Sequence, residues 1–250
     1  MPQTLKLAQL NIEGSKHLDL VIPFLQKQNP DVACLQELNE QDVASFEKAL
    51  LMHSFFVPMG MNSKAITGAK VWGIGIFSKS PIKPSAPLQY GGYAGNGLIE
   101  YVHGDPTKKN AHDSTKFMLA VADIEKGGET FRIATTHFPV TAHGAATDFQ
   151  REDMKALLGL LEKEGEFVLT GDFNAPRGGE IFAQLSAKYK DNIPPEIATS
   201  IDGAIHRAGQ LPFMVDGIFS TPGYEVSNVV GHTGLSDHWG FTAEIKKVEI

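Results

Sequence analysis

The chain predicts an α/β (α+β) fold of mixed sheets with helices on the outside, and three features of its patterning carry that prediction. Apolar runs of β-like composition are interrupted by only a few helical segments, the pattern of sheets covered by helices. A Lys126-Gly127-Gly128 turn joins two mid-chain runs into an antiparallel hairpin, which argues against a purely parallel doubly wound sheet. Three further strand-like runs close the chain.

Taken in order, residues 5–12 read LKLAQLNI and alternate with the period of two of a strand. Leu18, Val21, Ile22 and Leu25 then recur at helical spacing, with Asn29-Pro30 as the stop. Pro23 is an awkward helix-interior residue, so the helix is expected to start near Asp19 or to kink there. Residues 31–35 (DVACL) form a short buried strand, and 41–52 are helical again. The runs at 55–59, 73–78, 97–102, 117–124 and 130–137 are all β-like. An amphipathic helix over 147–162 carries Phe149, Met154, Leu157, Leu158 and Leu161 on its apolar face. A strand at 167–170, a helix near 179–189 and strands near 213–219, 225–230 and 239–245 complete the pattern. No repeat, low-complexity stretch or linker divides the sequence, so one domain over 1–250 is expected.

Composition narrows the function. The 250 residues are 42% hydrophobic and 20% charged, as in ordinary soluble globular proteins. No apolar run approaches the roughly 20 residues of a membrane span. The start lacks the basic-then-apolar pattern of a secretory signal, and the single cysteine, Cys34, allows no internal disulfide. A cytoplasmic monomer is the expectation. The formal net charge of −7, with Lys and Arg scattered from Lys64 to Arg207, weakens the case for long nucleic acid held by phosphate contacts, without excluding it.

The polar residues are unusual in where they fall. Asn11 and Glu13 end the first strand, and Glu37 follows DVACL as Leu-Gln-Glu. His137 ends TFRIATTH, Asp172 and Asn174 end FVLT as GDFN, Asp216 interrupts FMVDGIF, and Asp237 and His238 precede the last strand. Strand ends along one sheet edge converge, so these groups are expected to line one pocket. Crowded carboxylates push one another towards the neutral form, and a divalent cation removes that penalty. Oxygen donors with room for water suit Mg²⁺ or Mn²⁺. A metal, a carboxylate and two imidazoles together supply what phosphoester hydrolysis needs: charge neutralisation, an aligned water and a proton for the leaving group.

The motifs NIEG, LQE, TTH, GDFN, VDGIF and SDH, in this order from Asn11 to His238, resemble those of the endonuclease/exonuclease/phosphatase (DNase I-like) family. The resemblance implies a four-layer α/β/β/α sandwich of two mixed β-sheets flanked by helices, with the site at one end. It implies a divalent-metal-dependent phosphoesterase, foremost a phosphodiesterase or nuclease, with a phosphomonoesterase or phospholipase-type hydrolase as the alternative. A non-catalytic binding module of the same fold would be expected to have lost some of these residues. By resemblance Glu37 is the principal metal ligand, with Asn11, Glu13 and Asp237 near the cation or its waters. Glu13 stands where some members carry Asp. Asp172 resembles the residue that aligns or deprotonates the attacking water, and Asn174 the one that contacts phosphate. His238 resembles the imidazole that acts on the phosphate or nucleophile, oriented by Asp216, and His137 one that faces the leaving oxygen. The substrate is expected to be a phosphate ester, with nucleic acid a candidate.

Other residues carry weaker signals. Arg207, Arg177 and His143 are placed to rim the cleft and touch substrate phosphate. Gly91, Gly92 and Gly95 around Tyr90 and Tyr93 read as a loop that shapes the substrate site. His17, His53, His103, His112, His206 and His232 lack motif support and are expected on the surface or in loops.

Overall fold

A computed structural model describes residues 3–62, 70–102 and 108–248, so the expectations for Lys64 and His103 lie outside the described residues. Strand β1 (Thr4–Asn11) runs parallel to β2 (Val32–Asn39), and helix α1 (Leu18–Gln28) connects them. Pleating decides what each residue faces. Leu5 and Leu7 of β1 and Val32 and Cys34 of β2 enter the main core, while Ala8, Leu10, Ala33 and Leu35 join a cluster with α1 and α2 (Val43–Leu50). Continuing that alternation, Gln9, Asn11 and Gln36 share the face of Leu5 and Cys34. Helix α1 begins at Leu18 and runs through Pro23, ending on Asn29, whose left-handed backbone (φ 50°) lets its N–H return to Leu25 O. The proline removes one helical hydrogen bond, and burial of Val21 and Leu25 outweighs it.

The first sheet has the order β12-β13-β1-β2-β4-β3, adding β3 (His53–Met61), β4 (Val71–Ser78), β12 (Tyr224–His232) and β13 (Gly240–Lys247). The second sheet is β10-β11-β9-β8-β7-β5: β5 (Ile82–Pro84), β7 (Lys116–Lys126), β8 (Glu129–His137), β9 (Val168–Asp172), β10 (Lys190–Asp191) and β11 (Asp216–Ser220). β6 (Leu88–Gly92) pairs with β7 beside that row. The hairpin between β7 and β8 turns on Gly127 (φ 59°) and Gly128 (φ 85°), the doubly positive φ that matches strand twist.

The short helix α3 (Lys109–His112) precedes β7, while α4 (Asp148–Leu161) links the parallel pair β8 and β9. Thr147 caps α4 through its side chain, and Met154, Leu157 and Leu161 bury its apolar face. Helix α5 (Glu180–Ser186) contributes Ile181, Phe182 and Leu185 to the same core. Phe173 meets Phe219 edge to face at 5.3 Å, and each such buried ring contributes about 2 kcal/mol of burial. The result is helices, sheet, sheet, helices.

Two sequence expectations differ. Residues 97–102 form no strand, only an isolated bridge from Glu100 to Met61. The glycine-rich stretch is a loop only from Tyr93 through Gly95: Leu88–Gly92 is β6, with Tyr90 buried and stacked on Phe138 at 5.9 Å. Gly92 can pair there because any side chain would strike Thr115 O at 1.8 Å.

Candidate active site

The expected convergence occurs, but across two sheets rather than along one edge. β1 and β2 of the first sheet bring Asn11 and Glu37, and the Ser236-Asp237-His238 turn before β13 adds to that side. β8, β9 and β11 of the second sheet bring His137, Asp172 and Asp216, where Asp172 is the register partner of both His137 and Asp216. Gly171 permits the close β8–β9 approach, since a Cβ there would lie 2.4 Å from Thr136 O.

Local backbone aims the side chains. Glu37 lies in a bulge where β2 slips against β4 between Leu35 and Leu38, and its φ is 54°. A bulge turns one side chain out of the alternation, which delivers Glu37 to the mouth with 39% of its side chain exposed. Asn174 (φ 48°) and Glu13 (φ 51°) are also left-handed, each at about 1 kcal/mol of backbone cost. Ser236 anchors the Asp237-His238 turn by donating from Oγ to Asn11 O at 2.6 Å and accepting from His238 N at 3.1 Å.

Asp172 is the hub. Asn11 Nδ2 donates to Asp172 Oδ2 at 3.0 Å and to Glu37 Oε1 at 3.1 Å, so one amide ties the two sheets together. The Asn174 backbone N–H donates to Asp172 Oδ1 at 2.8 Å. His137 Nε2 is 3.4 Å and His238 Nε2 3.7 Å from Asp172 Oδ2. Burial opposes ionisation of this carboxyl, but the charge of His238, the hydrogen bond and charge of His137 and the Asn174 N–H hold it at about 2.

His238 Nδ1 faces Asp216 Oδ2 at 2.8 Å, which fixes the tautomer and turns Nε2 towards Asp172. Burial works against a charged ring here. Asp216 and Asp172 nevertheless lift its proton affinity well above that of an ordinary imidazole. Asp216 itself is fully buried, and its carboxyl is pushed up by that burial, against the pull of His238. His137 also has a raised proton affinity: burial lowers it, but the Asp172 hydrogen bond and the charges of Asp172 and Glu37 raise it. Asn174 Nδ2 sits 3.0 Å from His137 Nε2 and donates to Phe138 O at 3.0 Å.

Two donor sets could hold a cation. Asp172, Asp216 and His238 present ligand atoms within 4.8 Å of one another, but Asp216 and His238 already bond each other and all three are buried. At the mouth, Asp237 is pushed up first by burial and further by the negative charges of Glu37 and Glu13, with His238 and His206 opposing. Converging carboxylates with solvent access fit a hard divalent cation that keeps part of its water shell. Glu13 is the least available of these, since its carboxylate bonds Lys16 and, at 2.9 Å, His17 Nε2.

The expected rim residues separate. Arg177 turns away to bond the carbonyls of Pro194, Ile197 and Ile193 and pairs with Asp191 at 2.8 Å, so its guanidinium staples a loop. Arg207 is exposed, and its charge reaches Tyr101, whose phenol is pushed up by burial and by Glu37 with Arg207 opposing. His143 is exposed, and the adjoining Gly144 packs against Pro176, just past Asn174.

Sequence reading passed over several residues. Trp72 stands edge-on to both His137 and Tyr101, with ring centroids 6.2 Å apart in each case, forming an aromatic wall. Its aromatic-glycine context at the start of a strand was the available signal. His112, expected on the surface, is buried between Asp153 (2.7 Å) and Asp113 (2.8 Å) and packed on Phe149 and Phe117. The helical phase of Asp153 beside Met154 and Leu157 hinted at a buried carboxylate needing a partner.

A two-sheet sandwich with carboxylates, amides and imidazoles gathered at its strand ends carries the groups that phosphoester cleavage requires. The profile of the Endonuclease/Exonuclease/phosphatase family matches residues 8–238, and the chain belongs to that family. No curated protein matches the chain significantly in sequence. Among solved structures, the fold resembles an endonuclease/exonuclease/phosphatase family protein from Bacteroides thetaiotaomicron (12% identity, 100% of both chains, TM-score 0.70). It also resembles the human Nocturnin catalytic domain with bound sulfate (14% identity, 99% of this chain and 94% of that one, TM-score 0.71). A third is a mannosyl-6-phosphatase from B. thetaiotaomicron VPI-5482 (12% identity, 96% and 99%, TM-score 0.66). At these identities the likeness is one of fold. Among the described residues no helix is long and apolar enough to cross a membrane.

Proposed function

We propose that this chain is a Mg²⁺- or Mn²⁺-dependent phosphodiesterase that cleaves its ester by attack of water. The observation that carries the reading is Asp172 Oδ2, approached by the Nε2 atoms of His137 and His238 at 3.4 and 3.7 Å. A carboxylate held ionised between two imidazoles of raised proton affinity can orient or deprotonate a water while an imidazolium faces the phosphate. In this reading Asp172 aligns the water and Asn174 contacts a phosphate oxygen. His238, steadied by Asp216, neutralises charge on the phosphate, and His137 hands a proton to the leaving oxygen. Glu37 and Asp237 hold the cation, with Asn11 and Glu13 beside it. The metal, when bound, supplies positive charge to the phosphate and lowers the cost of generating hydroxide.

A second reading, a phosphomonoesterase acting on a compact substrate, is favoured by the pairing of basic residues. Lys109, Arg132, Arg151 and Arg177 are each matched to a carboxylate of the protein itself, at Asp113, Asp123, Glu180 and Asp191. Groups so engaged are poorly placed to follow a long polyanion.

A panel of bis-p-nitrophenyl phosphate, p-nitrophenyl phosphate, abasic-site DNA, single-stranded DNA and phospholipid vesicles, each with Mg²⁺, Mn²⁺ or EDTA, tests both. Diester turnover that EDTA abolishes is expected. Turnover of the monoester alone selects the second reading, and no turnover of any substrate with either metal overturns both.

A further inference from the structure

Beneath the site a chain of buried amides crosses from one sheet to the other. Gln9 Nε2 donates to Asp216 Oδ1 at 2.8 Å and faces Gln36 Oε1 at 3.3 Å. Gln36 Nε2 in turn donates to Thr135 Oγ1 at 3.0 Å. Gln9 is 1% exposed, and Gln36 and Thr135 are fully buried. None of these three touches the mouth where substrate would enter, and three polar side chains have been placed where Leu5, Leu7 and Val32 set the rule for apolar ones.

The orientation of the Gln9 amide is dictated. Both atoms facing its Nε2 are acceptors, and reversing the amide would set its carbonyl against a carboxylate oxygen and an amide oxygen. Its own Oε1 has no partner among the described residues, so the donor end is what this environment selects. The Asp216 carboxylate needs such a donor. Its terminal torsion is broad and nearly two-fold, so packing of the side chain alone leaves the carboxylate plane free to turn. His238 Nδ1 engages only Oδ2, and Ser200 Oγ, which accepts from the backbone N–H groups of Val215 and Asp216, also hydrogen-bonds the Asp216 carboxyl, so Gln9 adds a second fixed donor, directed at Oδ1.

We propose that Gln9 is the positioning residue for His238: it pins Asp216 Oδ1, fixing the carboxylate plane that aims the imidazole, and Gln36 and Thr135 lock the amide from the opposite sheet. The inference rests on the reading of His238 as the imidazole that acts on the phosphate. Gln9 touches neither substrate nor metal and acts only through Asp216.

The test replaces Gln9 by Met, close in shape but without donors. Steady-state kinetics use bis-p-nitrophenyl phosphate with Mg²⁺. Low-field proton NMR of the metal-free protein follows the His238 Nδ1–H resonance, identified by its loss in Asp216→Asn. Gln9→Met is expected to lower kcat about tenfold with KM nearly unchanged, the range for groups that orient a functional side chain. The Nδ1–H resonance should shift and broaden. Gln36→Met should do the same more weakly, and the double variant should be no worse than Gln9→Met, because both act on one chain of contacts. If Gln9→Met does not fold, Gln36→Met and Thr135→Val carry the test, with the same split and the same resonance. Wild-type kcat and an unmoved resonance in folded Gln9→Met, or in both substitutes, overturn the proposal. A wild-type protein without phosphoesterase activity removes the functional reading alone, since the resonance still reports whether Gln9 holds the Asp216–His238 pair.

Discussion

Asp172 and Asp216 are register partners on neighbouring antiparallel strands, and their carboxyls are driven in opposite directions. Burial acts against charge on both. Asp172 overcomes it with two imidazoles and the Asn174 N–H, whereas Asp216 has Asp172 as a like-charged neighbour. Paired acids whose environments push them apart take different roles: one stays an ionised acceptor that can orient water, the other a holder of protonated histidine. Asp172→Asn and His238→Ala are therefore each expected to lower kcat at least about a hundredfold, as for lost acid-base groups. Since Asp172 titrates near 2, its protonation contributes no acid limb to the rate profile between pH 5 and 8. Initial rates over that range check both points, and near-normal turnover in the two variants would refute the assignment.

The buried His112 makes a stability prediction independent of the active site. Burial lowers its proton affinity, but the hydrogen bonds and charges of Asp153 and Asp113 raise it above the ordinary value of 6.5. A raised folded-state value means the folded protein holds the proton more tightly than the unfolded chain. The stabilisation is full below about 6.5, the unfolded value, and is lost as pH rises through the folded one. His112→Asn should cost about 3 kcal/mol at pH 6, because Asp153 is left buried without its cation. The gap to wild type should shrink at pH 9. Thermal melts of both proteins at the two pH values check this, and a gap that widens with pH contradicts it.

Arg177 separates a structural from a substrate role. Its guanidinium bonds three carbonyls and Asp191, so Arg177→Gln should lower stability by about 2 kcal/mol while KM stays near wild type. Urea melts and Michaelis kinetics on the same preparation decide it. A raised KM at unchanged stability would return Arg177 to the cleft.

Strand patterning exposed much of this arrangement. Alternation in LKLAQLNI already places Gln9 and Asn11 on one face with Leu5 and Leu7, and the polar ends of the strands marked Asn11, His137, Asp172 and Asp216. What sequence concealed depends on distant partners. The β6 segment LQYGG reads as a loop because glycine disfavours strands, yet β7 supplies its hydrogen bonds. Arg177 looked free because the loop carbonyls that capture it carry no side-chain signature. His112 looked exposed because Asp153 lies on another helix, and Gly91 makes room for that carboxylate: a Cβ there would fall 2.2 Å from Oδ1. The bulge at Glu37 is likewise a product of pairing with β4.

The single amide of Asn11, bonded to Glu37 on its own sheet and to Asp172 on the other, makes competence conditional on docking. Neither half of the sandwich owns a complete set of reacting groups. A species with one sheet formed and the other still molten would keep much of its secondary structure and be chemically inert. The register of one sheet against the other therefore fixes how far Glu37 stands from Asp172.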